Sequence, residues 1–219
     1  MPRTVRDIVL VRPNIHHPNP ALPVLRNVVA LGDDISVGPI DACIVREIAE
    51  MCDPYKLKAP PGDARPPVRY AFCRTLQADA GVHAFDPDGA LTAAIAMSRL
   101  ANPTSAAFEW SARVVTKDAG EFYEGIHGFM KGRGAHAYVV EGARDWLTEA
   151  DAQVTAGLLA AFQAQDQTMQ GRVRRALWRH DYAMGIEELD IRWLIVASGL
   201  EALVKINYPR GAAGPGSTR

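Results

Sequence analysis

Cysteine is scarce, with Cys43, Cys52 and Cys73 the only three in 219 residues. The number is odd and no Cys-x-x-Cys pair occurs, which argues against a zinc ribbon. Reduced thiols packed as small hydrophobes are the simplest reading. Long apolar runs are also missing. The N-terminal run Ile8 to Val11 is too short for a secretory signal core. The run Trp193 to Leu200 falls far short of the roughly 20 residues that span a bilayer. Charge of one sign is lacking too. The net charge of −1 argues against a chain built chiefly to grip nucleic acid, although a local basic patch stays compatible with it. No G-x-S-x-G elbow and no Walker phosphate loop occur. A reduced cytoplasmic protein without membrane segment, metal or cofactor is the resulting expectation.

What is present begins with a proline-rich region to about residue 82. Ile8 to Val11 and Val28 to Leu31 are β-branched and bounded by turn residues, as short strands are. Asp41 caps an expected helix whose Ile44, Val45, Ile48 and Ala49 share one face, and Pro54 ends it. Lys58 to Pro67 reads as an extended linker.

From Phe85 the periodicity turns helical. Asp86-Pro87 has the form of an N-cap followed by a proline at the first helical position. Leu91, Ala94, Ile95 and Ser98 then form a stripe. Asn102-Pro103 repeats the signal, and Ala106, Ala107, Trp110 and Val114 suggest a second helix. Gly120 to Gly134 is expected to be a loop, and Ala137 to Val140 a strand. Thr148 with Asp151 forms a capping box for a helix to about Gln165. A helix bearing Met169, Val173, Ala176 and Leu177 follows, and then one from about Glu187 to Ile206 that is apolar nearly all round. Such a helix belongs inside a bundle, so Leu194, Leu200 and Leu203 are expected to be buried and Glu201 mostly covered. Residues 207–219 read as a disordered tail.

Several patterns touch chemistry only weakly. Gly132-Arg133-Gly134-Ala135-His136-Ala137 fits G-x-G-x-x-A, but it precedes an expected strand and lacks the helix whose N-terminus would meet phosphate. Glu121, Glu124 and His127 have metal-ligand spacing on a helix that Gly120, Gly125 and Gly128 disfavour. His16-His17 lies between prolines with no acid nearby. Arg172, Arg174, Arg175 and Arg179, followed by His180, form the densest basic cluster. Arg172, Arg175 and Arg179 share a helical face, which is either a solvated surface or an RNA-contacting one.

Arg175 to Ala183, then Glu188 to Leu194, then Gly199 to Val204 resemble the first half of an Apea-like HEPN domain. The Leu-Glu-Ala-Leu core at 200–203 and the Asp190-x-Arg192 upstream carry the likeness. Phe85 to Asp88, Ser98 to Leu100 and Asn102 to Thr104 resemble the region that precedes this domain in bacterial proteins. The resemblance covers about residues 85 to 206. It implies a helical bundle, frequent dimerisation, and metal-independent RNA cleavage by an arginine and a histidine spaced R-x4-6-H, in which histidine moves the proton and arginine stabilises phosphate charge. In the family that pair follows the Leu-Glu-Ala-Leu helix, and this chain ends before that region. The one literal match, Arg175 with His180, lies upstream.

The expectations are therefore a mainly α fold, with a small α+β region and linker over 1–82, a HEPN-like helical region over 83–206 and a tail over 207–219. The chain would be an interaction or dimerisation module forming a homo-oligomer, a portion of a longer protein or a truncated form of one. An HEPN-type endoribonuclease of stress response or defence is the alternative. Arg175 and His180 are then the catalytic candidates, Arg172, Arg175 and Arg179 the RNA-binding candidates, and Glu201 and Arg192 structural polar residues. With the following helices absent, some apolar surface of the last helix would stay uncovered, favouring self-association.

Overall fold

The computed structural model describes residues 3–12, 25–52, 70–78, 84–102, 107–117, 120–126, 147–184, 186 and 188–204. The elements in chain order are β1 (Arg3–Arg12), β2 (Val29–Ala30), β3 (Ile35–Pro39), α1 (Ala42–Cys52), β4 (Tyr70–Ala78), α2 (Ala90–Ala101), β5 (Ala107–Lys117), β6 (Gly120–Ile126), α3 (Glu149–Gln163), α4 (Gln167–Met184) and α5 (Leu189–Val204). The strands form one sheet in the order β2-β3-β4-β1-β5-β6, with every pairing antiparallel.

The molecule is thus α+β, and the expected mainly α bundle is overturned. The difference lies in residues 107–126. Ala107, Trp110 and Val114 have helical spacing, yet they sit in a strand. Residues 107–117 are rich in β-formers such as Phe108, Trp110, Val114, Val115 and Thr116. Ala112 and Val114 turn to one sheet face while Ser111, Arg113 and Val115 turn to the other, and all five are buried. In sequence Glu109, Ser111 and Arg113 alternate with Trp110, Ala112 and Val114, the period of a strand, and the helical spacing of Ala107, Trp110 and Val114 competes with it. Gly120 opens β6 at φ 125 opposite Lys117, so the glycine-rich stretch expected to be a loop begins as the second strand of a hairpin.

Alternation along β1 builds two cores. Ile8 and Leu10 face α1, where they meet Ile48 with Ala71, Ala112 and Val114. Val9 and Val11 face α2 and, with Val37 and Phe72, form the larger core that Leu91, Ala94, Ile95, Leu159 and Phe162 complete. Helix α2 lies between the sheet and α3, which is why Ala93 and Met97 are buried along with the expected stripe.

The caps follow the sequence closely in two places. Cys43 N–H donates to Asp41 Oδ1 at 2.6 Å. At α3, Asp151 N–H donates to Thr148 Oγ1 at 3.2 Å and Thr148 N–H donates to Asp151 Oδ2 at 2.7 Å. The other two signals read differently. Helix α2 starts at Ala90 with Gly89 as its N-cap, so Pro87 is not its first residue, and Asn102 is the C-cap of α2.

Helices α4 and α5 form a hairpin. Gly199 is buried where they meet, and a Cβ there would stand 3.4 Å from the Ala176 carbonyl oxygen, an ordinary contact distance. Val173 and Leu177 pack α4 against the larger core. Helix α5 packs on α4 and turns the rest of its surface outward, so the expected burial of its leucines is also overturned. Leu194 is 70% exposed and Leu200 58%, Leu203 is half-buried and Glu201 is exposed. An apolar composition all round does not by itself place a helix inside, because neighbours must exist to cover each side.

Candidate functional site

Two features stand out against this frame: a buried row of charge across the sheet, and the exposed α4–α5 hairpin.

The row follows from register. Asp7 of β1 lies opposite Arg74 of β4 and opposite Arg113 of β5. Its carboxylate is fully buried. Arg113 Nε donates to Asp7 Oδ1 at 2.7 Å and Nη2 to Oδ2 at 2.8 Å, a two-point pairing. Arg113 also donates to the Ala84 carbonyl. Asp7 Oδ2 accepts the Asp86 N–H at 2.8 Å. Two ions brought out of water this completely are tolerated only when each lone pair and proton has a partner, and here the partners come from the loop before α2.

That loop is a second set of partners. The Asp86 carboxylate accepts the N–H of Leu91 and of Thr92, both at 2.8 Å, and the Thr92 hydroxyl at 2.7 Å. It caps α2 from several residues away, at the end where backbone N–H groups lack partners. Asp86 adopts φ 43, a left-handed conformation costly for a residue with a Cβ. Arg74 spans the loop: Nε donates to Asp34 at 2.6 Å and Nη2 to Asp88 Oδ2 at 2.9 Å, and Nη1 pairs with Asp88 Oδ1 and with Asp86. The Asp88 carboxyl is held below its ordinary range, chiefly by the Arg74 hydrogen bond, and the Arg74 guanidinium is raised by the same bond. From α4, Arg174 donates to the Asp88 carbonyl at 2.7 Å and lies over the Phe162 ring. Chemically the row is a clamp: its carboxylates are spent on arginines and backbone N–H groups, and it ties β1, β4, β5, α2 and α4 together. Cys73, beside it in β4, has a thiol pushed up by burial, the opposite of an activated nucleophile. Among the described residues no group of three or more His, Cys, Asp or Glu could hold a metal, and no helix is long and apolar enough to cross a membrane.

The candidates named from sequence lie on the hairpin. Arg175 is exposed and Arg172 half-buried on α4. Arg179 is turned into the hairpin, where it donates to the Ser198 carbonyl. The three therefore do not present one open basic face. His180 is half-buried and engaged. Five residues apart on a continuous helix, Arg175 and His180 point about 140° apart. Arg192 donates to the Ile186 carbonyl at 2.9 Å and so closes the turn before α5. Glu201 stands exposed on α5, away from the buried role expected of it. Glu121 and Glu124 fall in strand β6 and not on a helix. His127, the His16-His17 pair, residues 132–140 and the tail lie outside the described residues.

Missed by the sequence reading were the clamp arginines Arg74 and Arg113, the acids Asp7, Asp34 and Asp88, and the pair Trp178 and Tyr182. These two rings stack with centroids 5.5 Å apart on the outer side of α4, and both are exposed. Their spacing of four was the available signal. No family model, curated protein or solved structure matches the chain.

Proposed function

We propose that this chain is an interaction module related to HEPN proteins, without catalysis of its own, and that the α4–α5 hairpin is its docking element. The observation that carries the reading is the outward surface of α5, where Leu189, Ile191, Trp193, Leu194, Leu200 and Val204 are all between 47% and 70% exposed. Leu189, Trp193, Leu200 and Val204 fall on one side of the helix, and a contiguous exposed apolar patch is what an interaction surface presents. The hairpin coincides with residues 175–204, the part that resembles the HEPN domain, while the clamp beneath α2 holds the sheet domain from which it projects.

Catalysis by Arg175 and His180 is disfavoured by their separation around α4. A proton-transfer group and a phosphate-stabilising group must meet one phosphate together. The test is incubation of the purified chain with single-stranded and structured RNA, beside Arg175→Ala and His180→Ala. No cleavage above background is expected from any of the three. Cleavage by the parent that disappears in both variants would overturn the module reading and establish the endoribonuclease.

A further inference from the structure

Helix α4 leaves α3 through only three residues, Ala164, Gln165 and Asp166, all of them exposed. The bend is held from outside. The Gln170 side chain donates to the Gln163 carbonyl at 3.2 Å and to the Gln165 carbonyl at 2.8 Å, and Asp166 Oδ1 accepts the Met169 N–H at 2.8 Å. These bonds lie in the open, where water competes for each. Beyond the bend α5 packs on α4, while α4 meets α2 and α3 only lightly. The α4–α5 hairpin is therefore an arm with one exposed elbow. Its seat on the body is small: Val173 and Leu177, both half-buried, reach the larger core.

Arg174 is placed beside that seat. Its Nη2 donates to the Asp88 carbonyl at 2.7 Å, and its guanidinium stands 5.6 Å from the centroid of the Phe162 ring on α3. One side chain thus ties the arm both to α3 and to the loop before α2. The loop is shaped to receive it. The Gly89 N–H donates back to the Asp86 carbonyl at 2.9 Å, with Asp86 at φ 43 and Gly89 at φ 72. A Cβ at Gly89 would stand 3.2 Å from Arg174 Nη1, closer than such atoms normally pack. Glycine here serves the left-handed backbone and the close approach of the guanidinium together. From the other side the loop is gripped by Arg74, whose Nη2 donates to Asp88 Oδ2 at 2.9 Å. Asp88 joins the buried clamp through its carboxylate and the arm through its carbonyl.

We infer that Arg174 is a latch: the α4–α5 arm opens as a unit about the Ala164–Asp166 elbow, and the bond from Arg174 to the Asp88 carbonyl holds it shut. Local opening takes place where attachments are few, polar and reached by water, and it leaves the core closed. Opening here uncovers Val173, Leu177 and the Phe162 ring without parting the sheet. The latch governs how the arm is carried, and it stands whether or not α5 meets a partner.

The test is thiol labelling of the full chain carrying Leu177→Cys, checked as folded by circular dichroism. Peptide mass separates the labelled positions, and each rate is divided by the rate for the same position in denaturant. The thiol at 177 reports on the arm, and Cys73 of β4 reports on the sheet. Arg174→Met keeps an unbranched apolar stem but loses the charge and the donors. Because the lost bond is charge-assisted, labelling at 177 should quicken about tenfold while Cys73 keeps the parent rate. Asp88→Ala retains Arg174 but frees the loop from Arg74, and it should quicken labelling at 177 as well. Arg175→Ala, at the exposed neighbouring position, should not. Val173→Cys is a second reporter on the same side of α4 and should respond like Leu177→Cys. A rate at both positions that Arg174→Met leaves unchanged would overturn the latch. So would equal acceleration at Cys73, since the whole chain would then be unfolding and no arm opening at an elbow.

Discussion

Asp7 is the residue on which most of the buried polar structure converges. It joins Arg113 across a strand pair and the Asp86 N–H across a loop. Removing one member of a buried pair strands the other, which costs more than the pair is worth. Asp7→Ala should therefore lower the unfolding free energy by about 3–5 kcal/mol in urea titrations, and Asp7→Leu combined with Arg113→Leu should recover part of the loss. A cost below about 1 kcal/mol for Asp7→Ala would mean that Arg113 finds water or another acceptor. Asp88 carries a smaller, pH-dependent share. Its folded-state pKa lies below its ordinary 3.8, so its contribution is complete above that value and disappears as pH falls through the depressed folded value. Stability should decline with acid below about pH 4, and Asp88→Asn should flatten that limb. The loss at neutral pH should be about 1 kcal/mol or less, because the side chain is largely exposed.

At the scale of elements, the helices with local stop and start signals were legible and the strands less so. Helix α3 is the clearest case, since Thr148 and Asp151 satisfy each other's backbone N–H groups from positions three apart. Thr148→Ala should cost about 1 kcal/mol in thermal or urea unfolding; a neutral result would mean that water replaces the cap. The start of α2 was half legible. Asp86 does accept the first N–H groups of the helix, but from farther back than a local cap, because Gly89 at φ 72 interposes a turn. Strand β5 carries two competing periods: Ser111 and Arg113 alternate with Ala112 and Val114 as in a strand, while Ala107, Trp110 and Val114 have the spacing of a helix, and the pairing of β5 with β1 and β6 decides between them. Helix α5 failed in the other direction. Its composition fits a bundle interior, and the fold leaves it on the outside.

For the whole molecule, a sheet that uses strands from both sides of residue 82 forms one core system with α1 on one face and α2 and α3 on the other, and α4–α5 projects from it. This division of labour explains why the clamp and the outward surface of α5 differ so much in chemistry. The clamp is charged, buried and satisfied within the chain. The outward surface of α5 is apolar and uncovered within the chain.

By itself the sequence determined the local decisions: the β-branched run of β1, the Asp41 and Thr148 caps, the stripe of Leu91, Ala94, Ile95 and Ser98, and an apolar α5. Each depends on residues within one or two turns of each other, where spacing and side-chain type act directly on the backbone. The tertiary structure alone decided which charges meet and which apolar side is left open. Asp7 and Arg113 stand 106 positions apart and become neighbours only through strand register, which depends on how every other side chain in the sheet is buried. Whether Leu200 faces a core or water depends likewise on the presence of a neighbouring element, and no pattern inside α5 encodes that.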